Sequence, residues 1–238
     1  MTPIAVGFDL GGTLLEYDQL PHSWIGEYST ALVLVAKACM CEPTAARLQS
    51  GRELLLRYNA GVAPRPDERE YTADHIFQEL LVAWKLPRAS LASAINAFFG
   101  HFAAKIRAFP ESVGIVGHLQ QSGVPVGVLT DDPYGMPVEL VRSEISQIGL
   151  KIPHEHVVTS TLVGHRKPHH AGFRTLAERL GVACHSLLYV GNERKDIAGG
   201  KGAGCRTALV WRDSCEPPVW DQDATIGSLD DLRKLLRS

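Results

Sequence analysis

The chain has 238 residues, with 24 lysines and arginines against 26 aspartates and glutamates and a hydrophobic content of 45%. That balance excludes the basic excess of a nucleic-acid binder and the charge bias of a disordered chain, and leaves a small molecule as the expected partner. No stretch reaches the roughly 18 to 20 apolar residues that span a bilayer, and the opening MTPIAVGFD has no basic region followed by a long apolar run, so no membrane segment is expected. Five cysteines, odd in number and without a C-x-x-C pair, stand in a chain long enough to bury a core without disulfides, which fits a reducing cytoplasm.

In chain order, the first apolar run, Ile4 to Phe8, predicts a strand buried on both faces and ends at Asp9. From Glu16 to Phe109 the periodicity is helical. It predicts four helices, Ser23–Ala38, Pro43–Tyr58, Glu68–Trp84 and Ser90–Arg107, broken at Gly61-Val-Ala-Pro-Arg-Pro66 and Leu86-Pro87. Helices and strands then alternate. Helices are expected at Glu111–Gln121, Met136–Ile148, His170–Leu180 and Asp196–Ala203, and strands at Val126–Thr130, Val157–Ser160, Leu187–Val190 and Thr207–Trp211. Ser228-Leu-Asp-Asp231 reads as a capping box opening a last short helix. The alternation predicts an α/β fold, a Rossmann-like doubly wound parallel sheet, with residues 1–15 and 110–238 forming the core and an inserted all-helical cap at 16–109.

Open parallel sheets bind ligands beyond the carboxyl ends of their strands. Asp9 closes the first predicted strand, Thr130-Asp131-Asp132 the second, Lys167 lies in HRKPHH after the third, and Gly191-Asn-Glu-Arg-Lys-Asp196 follows the fourth. Asp9-Leu10-Gly11-Gly12-Thr13 alone is similar both to the phosphate loop of actin-like sugar kinases and to the D-x-D-G-T of another class of enzyme. A kinase needs a hairpin after this loop and a second lobe in a longer chain, whereas LLEYDQLPHSW is expected to lead into helices. VGFDLGGTL, GVLTDD, VGHRKPHHAGF and LLYVGNERKDIAGGKGAG, in that order, resemble the four motifs of the haloacid-dehalogenase-like hydrolases over essentially the whole chain. The resemblance is to the phosphoglycolate-phosphatase-like subgroup, whose helical cap follows motif one.

The resemblance implies that Asp9 attacks phosphorus and forms an aspartyl-phosphate that water hydrolyses. It makes Thr130 a hydrogen-bond donor to the phosphoryl group and Lys167 its counter-charge, with Gly12 and Asp131 beside the phosphate. Magnesium would bridge Asp9, the Gly11 carbonyl and motif-four residues among Asn192, Glu193 and Asp196. A cap of this type is expected to open and close over the site. Two departures stand out. Phosphatases of the family carry a second aspartate where this chain has Gly11, and proton transfer by such a group is worth ~10²- to 10⁴-fold. Asn192 replaces a metal-binding aspartate and removes one formal charge.

Three readings accommodate these departures. The leading one is a phosphatase acting on a small anionic metabolite. The second is dehalogenase- or phosphonatase-like chemistry. Asn192 and Asp196 suit a dehalogenase, though the motif-four spacing differs and no aromatic stands at Gly11; a phosphonatase needs an imine-forming lysine from Lys37, Lys85 or Lys105. The third is a lapsed enzyme that binds a ligand. Arg52, Arg57, Arg65 and Arg69 are available to an anionic substrate or merely solvate helix faces. His154, His156, His165, His169 and His170 read as exposed loop residues, with His169 next to the site, rather than as a transition-metal centre.

Overall fold

The computed structural model describes residues 5–17, 24–103 and 106–236. Its strands are β1 (Ala5–Phe8), β2 (Leu15–Tyr17), β3 (Ile106–Ala108), β4 (Val126–Thr130), β5 (Val157–Thr159), β6 (Leu187–Gly191), β7 (Arg206–Val210) and β8 (Ala224–Ile226). Six of them form a sheet in the order β5-β4-β1-β6-β7-β8, with every neighbouring pair parallel. Every residue of β1, β4 and β6 is buried, which is why these strands read as unbroken apolar runs.

Helices α1 (Tyr28–Ala38), α2 (Ala45–Tyr58), α3 (Ala73–Trp84) and α4 (Leu91–Ala103) lie between β2 and β3. The remaining helices are α5 (Ser112–Gln121), α6 (Val138–Gln147), α7 (Ser160–Val163), α8 (Ala171–Arg179), α9 (Arg194–Gly202) and α10 (Leu232–Leu235). On one face of the sheet, Phe173 and Leu176 of α8 pack with Leu129, Val158 and Tyr189. On the other, Phe8, Val128 and Val190 join Ile115, Leu119 and Val141 in an apolar cluster that runs on into Tyr28, Phe77 and Phe98 of the helical insert. The fold is the expected doubly wound sheet with inserted helices.

Four local features differ from the sequence-based expectation. Leu15–Tyr17 and Ile106–Ala108 form an antiparallel ribbon at the two ends of the insert, with Glu16 opposite Arg107 and their side chains 2.9 Å apart. Each strand is too short to show a period, and its partner lies some ninety residues away in the chain. Second, residues 68–72 are not helical. Arg166 N donates to Glu68 O at 2.8 Å and Glu70 N to Gly164 O at 3.0 Å, so this segment is drawn out against the loop that carries Lys167. The helix starts only where the Thr72 hydroxyl accepts from His75 N at 3.3 Å. Third, β8 extends the sheet beyond the last predicted strand, and fourth, α7 follows β5 directly. The predicted capping box is present, with Ser228 and Asp231 in reciprocal bonds ahead of α10.

The insert is fastened to the sheet at a second place. Tyr134, just past β4, has its hydroxyl against Tyr28 and accepts from Asn59 Nδ2 at 2.9 Å. Gly135 beside it adopts φ 65°, and a side chain there would stand 2.0 Å from the Tyr71 carbonyl. Only glycine permits that approach. The Arg166 guanidinium also pairs with Glu70 of the insert. Opening the insert as a lid would break all of these contacts.

Candidate active site

Asp9 follows β1 directly, its N–H bonded to Val190 O at 2.9 Å. The chain then turns tightly, with Leu14 N on Leu10 O at 2.9 Å and Gly12 N on Leu15 O at 2.7 Å. Gly12 sits at φ 77°, and a Cβ there would meet Asn192 Nδ2 at 2.4 Å. Its N–H is committed within the turn, although the residue lines the cleft. Thr130 closes β4 and, with Asp9, Gly11, Asn192 and Trp24, lines a cleft of about 910 Å³.

Lys167 lies beneath Asp9. Its Nζ is 2.6 Å from Asp9 Oδ1, 2.6 Å from Asp196 Oδ1 and 3.2 Å from the Tyr189 hydroxyl, which itself donates to Leu129 O at 2.7 Å. Burial opposes the charge on this lysine, yet the Asp196 and Asp9 carboxylates hold it well above the usual lysine range. Burial pushes the Asp9 carboxyl up to about 7, with Lys167 pulling the other way. A buried acid paired with a fixed ammonium is an arrangement found at reactive centres.

The motif-four carboxylates bond Lys167, Lys195 and the start of α9. Asp196 gives Oδ1 to Lys167 and Oδ2 to the N–H groups of Asn192 (3.1 Å) and Glu193 (2.9 Å). Glu193 caps α9 reciprocally with Asp196, is 52% exposed, and pairs with Lys195 Nζ at 2.7 Å. Both acids thus serve the N-terminus of α9, and Glu193 also lines the cleft. Asp131 is also committed. Its Oδ1 accepts from Lys167 N at 2.8 Å and its Oδ2 lies 3.3 Å from Lys195 Nζ, so its side chain anchors the lysine loop. Although burial opposes ionisation, Arg166, Lys167 and Lys195 hold Asp131 below the ordinary carboxylate range.

Asn192 completes the arrangement. With its amide nitrogen inward it donates to Thr13 Oγ1 (3.1 Å), Gly11 O (3.2 Å) and Asp9 Oδ2 (3.3 Å). With its oxygen inward, that atom stands 3.2 and 3.3 Å from two other oxygens. Such spacings approach the ~3 Å edge of a six-oxygen magnesium shell with bonds of ~2.1 Å. Asp9, the Gly11 carbonyl and Asn192 therefore fit a magnesium ion, with one formal negative charge among them.

A model of the haloacid dehalogenase-like hydrolases matches residues 5–204. The chain belongs to that family. This hydrolase is 30% identical over 145 residues to the phosphoglycolate phosphatase of Rhodospirillum rubrum, a match covering 58% of the chain and 57%, little more than half, of that relative. Its fold superposes on a haloacid dehalogenase-like phosphatase from Thermococcus onnurineus with a TM-score of 0.63, at 20% identity over 98% of this chain and 97% of that one. An L-2-haloacid dehalogenase superposes with 0.60, at 18% identity over 100% of both chains. Phosphatase and dehalogenase share the fold, so the chemistry must be argued from the site.

Several expected participants lie elsewhere in the hydrolase. Arg57 pairs with Glu79, Arg65 bonds Tyr58 O and Glu70, Arg52 bonds Ile25 O, and Arg69 lies over the Tyr71 ring; none of the four lines the cleft. Lys37 and Lys85 are exposed and also absent from its lining, and Lys105 falls outside the described residues. His165, His169 and His170 are half-buried rather than exposed, stacked with ring centroids 4.0 and 4.6 Å apart. Burial and the two flanking imidazoles hold His169 below the usual histidine range. Among the described residues no cluster of three ligating side chains is placed to hold a metal ion.

Other residues of the hydrolase were not singled out from sequence. Lys195 lines the cleft and Tyr189 supports Lys167. Arg212, one residue past the last predicted strand, donates to Gly12 O at 2.9 Å and Thr13 O at 3.0 Å, pairs with Glu111 at 2.9 Å, and stacks 3.8 Å over Phe109. The strand-end rule that selected Asp9 also covers this position. Arg212 positions the turn that follows Asp9. Arg212→Ala is expected to lower kcat by up to about 10²-fold with little change in KM, since small misplacements cost that much. Arg212→Lys should recover part of the loss in steady-state kinetics, and a change confined to KM would contradict the assignment.

Proposed function

We propose that this hydrolase cleaves a small phosphomonoester, with Asp9 as nucleophile. The observation that carries the reading is the Asp9–Lys167 pair, 2.6 Å apart, with Asp9 lining the cleft and the buried Lys167 braced by Asp196 and Tyr189. The Asp9 carboxylate attacks phosphorus as the alcohol leaves, and water then hydrolyses the aspartyl-phosphate, so two easier steps replace one hard one. Lys167 remains charged throughout and offsets the negative charge that gathers on Asp9 and the phosphoryl oxygens. The Thr130 hydroxyl, at the end of the neighbouring strand, donates to the phosphoryl group.

Asp9, the Gly11 carbonyl and Asn192 would hold magnesium, whose charge would favour phosphate binding beside Lys167. With Gly11 in place of an acid, no side chain at that position protonates the leaving group. Esters with good leaving groups are the better substrates.

The test is phosphate release from p-nitrophenyl phosphate, with and without magnesium, by the wild type and Asp9→Asn. Release should occur in the wild type and fall about 10³-fold or more in the variant. A second assay offers a 2-haloacid and follows chloride. Halide release without phosphate release would overturn the phosphatase reading.

A further inference from the structure

We propose that the cleft wall formed by the loop after β4 and by α6 selects phosphomonoesters whose other end carries a hydrogen-bond donor, an ammonium above all. The proposal rests on the phosphatase reading and names its substrate class.

Asp132 and Glu144 both line the cleft, as do Met136, Val141 and Trp24. Their residues are 0% and 4% exposed, yet Asp132 Oδ1 and Glu144 Oε1 have no hydrogen-bond partner among the described residues. The other oxygen of Asp132 accepts from Thr161 N at 3.0 Å and from the Thr161 hydroxyl. Leaving a buried carboxyl oxygen unpaired is costly, and such groups persist where something outside the fold completes them. Burial pushes each carboxyl up to about 7, with Asp132 adding to the effect on Glu144 and Glu70 to that on Asp132. A donor on the ligand would supply the missing partner, and an ammonium would let the acids ionise and make charge-assisted bonds.

The cations that line the cleft, Arg212 and Lys195, are paired with Glu111 and Glu193. Outside its lining, Arg166 bonds Glu70 and, at 2.9 Å, Asp132 O, and Arg142 bonds His154 O at 3.1 Å with its buried Nε left unpaired. A second anionic group on the substrate, such as the carboxylate of phosphoglycolate, would face two carboxyls with no unengaged cation in the cleft lining to receive it. Met136 and Val141 offer apolar contact to a short carbon spacer.

The test compares kcat/KM for 2-aminoethyl phosphate, ethyl phosphate, phosphoglycolate and p-nitrophenyl phosphate in the wild type, Glu144→Gln and Asp132→Asn. The wild type should prefer the aminoethyl over the ethyl ester by on the order of tenfold, mainly through KM, and phosphoglycolate should rank below both. In either variant the aminoethyl-to-ethyl ratio should fall toward one. A ratio taken within one variant is insensitive to partial misfolding, and two separate variants guard against one failing to fold. Hydrolysis of p-nitrophenyl phosphate with phosphoglycolate preferred, or with ratios unmoved in both variants, overturns this inference alone. Absence of hydrolysis of every ester overturns the phosphatase reading and the inference with it.

Discussion

Gly11→Asp is expected to raise turnover of alkyl phosphates by about 10²- to 10⁴-fold, and that of p-nitrophenyl phosphate much less. The position is open. A Cβ at Gly11 meets nothing within 4 Å, the backbone there is not left-handed, and the residue lines the cleft two positions after Asp9. An aspartate can therefore be installed without displacing a neighbour, and its carboxyl would reach into the space where the ester oxygen departs. Nitrophenolate leaves without help from a proton, whereas an alkoxide does not, so the two substrates separate acid catalysis from any general gain. Steady-state kcat on ethyl and nitrophenyl phosphate decides the matter, and equal increases on both would refute the role assigned to the missing acid.

Lys167→Met is expected to lower turnover by about 10²- to 10³-fold, because it removes the fixed donor and counter-charge at Asp9, the proposed nucleophile. It should also destabilise the fold by about 3–5 kcal/mol at neutral pH. The Lys167, Asp9 and Asp196 side chains are 2%, 6% and 0% exposed, so two buried carboxylates would be left without their cation. The sign of the pH dependence follows. In the wild type Lys167 titrates well above its ordinary 10.5, and its stabilisation is fully present at every pH below that value. In the variant the buried Asp9 carboxyl loses its cation and must be protonated to be tolerated, so its folded pKa rises further above the ordinary value and the native form gains protons relative to the unfolded chain. Variant stability should thus fall as pH rises from 5 to 8. Denaturant melts of both proteins at those two pH values measure the gap between them, and a gap that does not widen toward pH 8 would refute the argument.

Much of this hydrolase was legible because of how a parallel sheet is built. Strands buried on both faces leave unbroken apolar runs, as at Val126–Thr130 and Leu187–Gly191, and the residue that ends each run is delivered to one edge. Asp9, Thr130, Lys167 and Asn192 could be found together for that reason. Their detailed partners could not. Spacing shows that Glu193 and Asp196 open a helix, but only side-chain direction decides whether their oxygens meet a metal or the backbone N–H groups of that helix. The same limit explains Gly12, whose N–H turns back on Leu15.

Contacts between distant segments left weaker traces still. Residues 68–72 have a helical pattern, yet bonds to Gly164 and Arg166 pull them straight, because tertiary hydrogen bonds outweigh the small preferences of a few residues. The β2–β3 ribbon, the Arg212 brace on the turn after Asp9 and the neighbouring acids Asp132 and Glu144 bring together residues twelve to two hundred positions apart. Composition, periodicity and strand-end position by themselves determined the sheet, the insert and the edge on which chemistry gathers, since those depend on which faces are buried. Which side chains there are free to act was decided only by tertiary structure, because a buried polar atom takes whichever partner the fold brings within about 3 Å.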